Sequence, residues 1–241
     1  MNNLSNRFTA KFAEYFKEVI YGGIDGIVTT FAVVAGFAGA SLTDNSTIQL
    51  SFMVVLLFGL ANLFADAASM GLGNFLSVRS EKDLYKVKRT EALGELHAQT
   101  QHNLSNTVAI LESKGFSAPD ATSMAALYQN NPEFWVDFTM QHDRNMTDPS
   151  GENEIFTGLA TFVSFMVFGA VPLLPFMLQT TGDPATAFLY SSVGTGIALV
   201  ALGVLKWRVI GANFISSLVE VVLVGGTAAT LAYLVGTFFA L

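Results

Sequence analysis

Five long apolar stretches, separated by short or polar segments, dominate the chain. They run from Val19 to Ala40, Ile48 to Val78, Ile155 to Leu178, Ala185 to Leu205 and Val209 to Leu241. A helix needs about 20 mostly apolar residues to cross the hydrocarbon core of a bilayer, so each stretch predicts one spanning helix. Asp25 alone interrupts the first, Asp66 the second and Glu220 the fifth. Pro172 and Pro175 break the backbone ladder of the third and free carbonyl groups. The expected fold is all-α, a polytopic membrane protein with five transmembrane helices.

One polar block, residues 79–153, separates the second and third stretches. Ser80–Gln101 is expected to continue the second spanning helix. Leu104–Lys114 predicts another helix, closed by Gly115 as a C-cap. Ser117–Gln129 and Pro132–Asn145 predict two more, and Asp148-Pro149-Ser150-Gly151 a turn. Ahead of the first span, Arg7, Lys11, Glu14, Lys17 and Glu18 suit an amphipathic helix on the membrane surface. The first span is too long to be a cleaved signal peptide, and no A-x-A-like site follows it. The chain thus divides into 1–18, 19–78, 79–153 and 154–241. The block 79–153 is too polar for a large core of its own, which predicts a partner, most simply its counterpart in a homodimer.

The cations set an orientation. All 12 Lys and Arg fall before the first span, in the 79–153 block, or at Lys206 and Arg208. The loops at 41–47 and 179–184 carry only Asp44 and Asp183. The positive-inside rule then places the N-terminus and the 79–153 insert in the cytoplasm and the C-terminus outside.

Composition narrows the chemistry. Charged residues are 13% of the chain, against about 25% in soluble domains. The absence of cysteine excludes disulfides and thiolate metal sites. A net charge of −7 argues against nucleic acid as a partner.

Ionisable groups inside a span are costly, face the bundle interior and mark pathways. Asp25 sits in Gly22-Gly23-Ile24-Asp25-Gly26, roughly 12 Å into its helix, with Thr29 one turn beyond. The bland reading of Asp25 is an interfacial cap. Gly22 and Gly26 form a GxxxG pair consistent with a dimer contact. Asn62, Asp66, Met70 and Asn74 recur every four residues, one stripe of the second helix. Met70 alone would read as packing; one turn from a buried carboxylate it is a soft ligand for a transition metal. Glu220 reads equally as a proton carrier or as a hydrogen-bond partner between helices.

All three histidines, His97, His102 and His142, fall in the insert. Glu91, Glu95 and His102 share one helical face, and Glu133, Asp137, Met140 and Asp143 another. Should the two faces meet, they would make a carboxylate, imidazole and thioether cage, with His142 alongside, suited to Fe²⁺, Mn²⁺ or Zn²⁺. The alternative is a solvated acidic surface.

Four blocks together resemble the vacuolar iron transporter family. They are Tyr21-Gly-Gly-Ile-Asp25-Gly26 to Ala35-Gly36, Ala65-Asp-Ala-Ala-Ser69-Met70-Gly71-Leu-Gly73, Trp135-Val-Asp137-Phe138 and Gly169-Ala-Val-Pro172-Leu-Leu-Pro175. The resemblance covers almost the whole chain. It implies a homodimer, with no prosthetic group, that moves Fe²⁺ and often Mn²⁺ out of the cytoplasm while protons return. It also implies that Asp25 and Met70 are pathway ligands and that the insert gathers metal. The family's second-helix glutamate falls at Asn62, with a carboxylate one turn on at Asp66 that is expected to take its role. The family's proline after the first-helix aspartate is Thr30 here. Two insert glutamates fall at Asn106 and Ala109, the Met-Met pair is Thr139-Met140, and the following Glu is Asp143. Glu91 and Glu95 match the first insert helix, and His102 and His142 are candidate substitutes for the missing ligands. A bacterial inner membrane is the expected location, with a vacuolar membrane as the alternative. Two rival functions remain: a membrane-anchored metal sensor or store, and an intramembrane hydrolase using Asp25 and Asp66 as an acid–base dyad.

Overall fold

A computed structural model describes residues 15–40, 48–178, 184–211 and 213–239. All but the end of the expected surface helix, and the cation-free loops with Asp44 and Asp183, lie outside the described residues. Among those described, every regular element is helical. They are α1 (Phe16–Ala40), α2 (Ile48–Ala98), α3 (Thr100–Ser113), α4 (Ala118–Gln129), α5 (Pro132–His142), α6 (Glu154–Gly169), α7 (Leu174–Leu178), α8 (Pro184–Ile210) and α9 (Phe214–Phe239). Short 3₁₀ turns occupy Pro149–Gly151 and Val171–Leu173. Five helical segments are long and apolar enough to cross a membrane.

The chain divides into two units, one of residues up to Phe75 together with those from Ile155 onward, the other Leu76–Glu154. In the first, spans successive in the chain alternate in direction, while α6 and α9 pack parallel to α1. Gly169 lies against both Gly26 and Leu63, and Phe37 meets Phe58 further along, so α1 and α2 are antiparallel. A Cβ at Gly71 would touch Gly158, and one at Gly59 would touch Leu173, so α2 also runs against the third span. Its core joins Phe31, Val34, Leu63, Phe165 and Leu173. Outside that core, large apolar side chains such as Leu57, Phe64, Ile197, Leu231 and Phe238 are exposed all round. A soluble monomer rarely carries such a surface; with five apolar helices it identifies an integral multi-pass membrane protein.

The prolines act as expected. Pro172 and Pro175 cannot donate backbone hydrogen bonds, and the third span breaks into α6, the turn Val171–Leu173 and α7. Ser191 Oγ on α8 donates to the Pro172 carbonyl at 2.7 Å. Between the last two spans the boundary differs from expectation. Helix α8 continues to Ile210 and the turn falls at Gly211 (φ 71°), so Lys206 and Arg208 ride the last turns of α8 and the fifth span begins at Phe214 rather than Val209.

In the second unit the break expected after Gln101 falls at Gln99, which leaves helical geometry (φ −128°, ψ 47°). Thr100 Oγ1 and Asn103 Nδ2 cover the carbonyls of Leu96 and Glu95 at the end of α2. Helix α3 ends in a Schellman motif: Phe116 N–H bonds the Leu111 carbonyl and Gly115 N–H that of Glu112, with Gly115 at φ 99°. Ser117 and Asn131 cap α4 and α5. Helix α5 stops at His142, short of Asn145, which takes a positive φ of 52°.

The insert, expected to be too polar for a large core, has a small one. Tyr85, Ala92, Leu96, Trp135, Val136 and Met140 are buried together, and Trp135 Nε1 donates to Thr107 Oγ1 at 2.8 Å. Trp135→Ala is expected to cost about 3–5 kcal/mol of this unit's stability. Hydrogen exchange should show faster amides throughout α3 and α5; unchanged protection would mean Trp135 is not the keystone of this core.

Candidate functional site

The rotation of α1 is set by its glycines. A Cβ at Gly22 would sit 2.7 Å from the Thr161 carbonyl oxygen, and one at Gly26 would sit 2.5 Å from that of Phe165. The GxxxG pair therefore receives α6 of the same chain, which corrects its reading as a contact between two copies. Asp25, one residue before Gly26, is turned about 100° from that seam.

Asp25 and Asp66 are both partly buried, and Gly169 lies against both Gly26 and Leu63, which puts the two carboxylates at similar depth. Thr29 Oγ1 donates to the Asp25 carbonyl at 2.8 Å, leaving its hydroxyl lone pairs free to accept. Asn62 Nδ2 donates to Asp66 Oδ2 at 2.8 Å, so the expected stripe is a hydrogen-bonded one. Met70, one turn further, is partly buried against the core around Phe165. Asn74 at the stripe's end donates to Thr161 Oγ1 of α6 at 2.8 Å, anchoring α2 across the helix interface.

Among the described residues no ion pair involves Asp25 or Asp66. Glu220 differs. It is paired with Lys206 and accepts from Ser216 Oγ at 3.0 Å. The structure thus leaves the α1 and α2 candidates without a cationic partner among the described residues and gives Glu220 a separate, cation-neutralised setting. Lys206 and Glu220 flank the Gly211 turn, a pairing signal in the sequence that a count of topogenic charges passes over.

The insert candidates are also paired. Arg89 on α2 binds Asp137 through Nε and Glu133 through Nη2, each at 2.7 Å. Arg144 reaches Glu95 at 2.5 Å. Lys88 donates to Glu91 at 2.7 Å and thereby holds its carboxyl below the usual range. His102 is exposed on α3, Asp143 caps α5, and the His142 ring lies 4.6 Å from that of Phe138. Met140 is fully buried in the unit's core. The two expected faces therefore meet through arginine rather than as a cage, and among the described residues no three His, Asp or Glu converge as metal ligands. Mutual repulsion of carboxylates is relieved by the nearest guanidinium. The cations of this block served the sequence reading only for orientation, so these partners were missed.

Residues 16–237 match the VIT family. A protein of Toxoplasma gondii named "Vacuolar iron transporter" is 34% identical, covering 95% of this chain and 76% of its own. "Vacuolar iron transporter 1" of Oryza sativa subsp. japonica is 31% identical over 91% of this chain and 83% of its own. The Arabidopsis thaliana protein of that name is 27% identical over 96% and 88%. With the match running through all five spans, the chain belongs to the VIT family, a family of membrane transporters rather than of enzymes.

Proposed function

We propose that the chain exports Fe²⁺, and Mn²⁺ with it, from the cytoplasm in exchange for protons. The substrate site comprises Asp25, Asp66 and Met70, with Thr29 and Asn62 as supporting oxygen donors. The observation that carries this reading is that Asp25 and Asp66, alone among the candidate carboxylates, share a region of the span without a cationic side chain. A carboxylate in that setting needs a proton or a metal ion to offset the cost of its burial. Metal and proton then compete for the same groups, and competition is exchange by linkage. Carboxylates and a thioether suit divalent transition metals. The homodimer, the cytoplasmic N-terminus and insert, and a bacterial inner membrane complete the proposal. The ion-paired acidic faces of the insert act as a cation-attracting surface, from which metal must displace Arg89 or Arg144.

Proteoliposomes loaded with a metal-quenched dye test this. Added Fe²⁺ or Mn²⁺ should quench the dye while the outer medium acidifies. Binding without flux would favour the anchored sensor or store. Flux without proton movement would remove the exchange and leave the transport. Asp66→Asn should lower flux at least tenfold, and undiminished flux would take Asp66 out of the site.

A further inference from the structure

Several hydroxyls within the spans bond back to the carbonyl one turn earlier. Thr29, Thr161, Ser192, Thr227 and Thr230 all do so. Thr30 and Thr195 do not. Thr30 is completely buried and Thr195 is 5% exposed, and neither hydroxyl has a hydrogen-bond partner among the described residues.

These two residues belong to the same interface, that of α1 with α8. A Cβ at Gly23 of α1 would sit 3.1 Å from Leu202 Cδ1 of α8, which fixes one level of contact between the helices. The rings of Phe31 and Phe188 meet further along, so α1 and α8 run antiparallel. Thr30 stands seven residues after Gly23, and Thr195 seven before Leu202. Seven residues are two helical turns to within about 20°. Thr30 lies between the Gly23 and Phe31 levels of α1 and Thr195 between the Leu202 and Phe188 levels of α8, so both fall in one stretch of the contacting faces. Buried hydroxyls without partners are rare because each carries a full desolvation cost. Two in one stretch of an interface match the polar lining that a buried water requires.

We infer that Thr30 and Thr195 hold a water molecule between α1 and α8. It accepts from one hydroxyl and donates to the other, tying the helix that carries Asp25 to α8 through an exchangeable link.

The test is thermal unfolding of the full chain in detergent, with Thr30→Val, Thr195→Val and the double variant. A bridged water predicts that each single variant lowers Tm by about 3–6 °C, by stranding the water and the remaining hydroxyl. The double variant expels the water and should return to within about 2 °C of the parent. Thr30→Ser, which keeps the hydroxyl, should hold the parent's coupling to Thr195→Val even if a valine variant fails to fold. Single variants that each raise Tm, with the gains adding in the double, would mean two independent hydroxyls facing dry protein. Additive losses would equally overturn the bridge.

Discussion

Asp25→Asn is expected to reduce metal flux in reconstituted vesicles by about two orders of magnitude while leaving the protein as stable as before, or more so. At about 4 Å and an effective dielectric of about 20, two unit charges attract by about 4 kcal/mol, and a divalent ion doubles this. Dehydration of the ion offsets much of that gain. A net loss of roughly 3 kcal/mol at the site corresponds to about 100-fold in rate. The fold should respond in the opposite direction. Asp25 has no cationic partner among the described residues, so its amide counterpart removes a costly charge from the span without changing shape. Initial rates of dye quenching, normalised to protein incorporated, measure the first effect; the melting temperature in detergent measures the second. Flux within twofold of the parent would exclude Asp25 as a ligand. Asp25 lies inside α1 rather than at its end, which rules out the helix-cap reading; lost flux together with a lower melting temperature would make Asp25 a structural residue instead of a ligand.

The opposed directions of flux and stability follow from what the sequence already exposes. A lone acid in an apolar run is visible without coordinates, and so are the five spans, because hydropathy and length together define a membrane helix. The Asn62, Asp66 and Met70 stripe was equally legible, since its period of four is intrinsic to the helix. What the pattern could not give was the choice of partner. The face bearing Gly22 and Gly26 permits close approach by any helix, and only the fold shows that α6 takes it. The insert posed the same difficulty. Its carboxylates share faces with arginines whose reach depends on tertiary packing, so Arg89 bridging Glu133 and Asp137 could not be read from spacing. Met140 looked like a ligand by position in a polar helix, yet it is completely buried. Trp135 and Val136, buried with it, form an apolar patch too short for a periodicity argument to register.

A large stability effect within the spans is expected at the close approach that this choice of partner created. Gly26→Val should lower the melting temperature of the full chain in detergent by about 6–12 °C, from a cost of roughly 3 kcal/mol. The added Cβ would lie 2.5 Å from the Phe165 carbonyl oxygen and 3.0 Å from its Cα. Both are backbone atoms, so no rotamer change relieves the clash and α1 must move away from α6. Asp25 rides the same turn, so the displacement should also depress flux. Gly94→Ala is the matched control. Nothing lies within 4 Å of a Cβ at Gly94, and replacing a helical glycine with alanine should stabilise by about 1 kcal/mol. The comparison separates packing within one chain from packing between two. A seam within the chain requires Gly26→Val to lose folded protein at every oligomeric state. A monodisperse, fully stable monomer from that variant would instead show that the small-residue face serves a second copy.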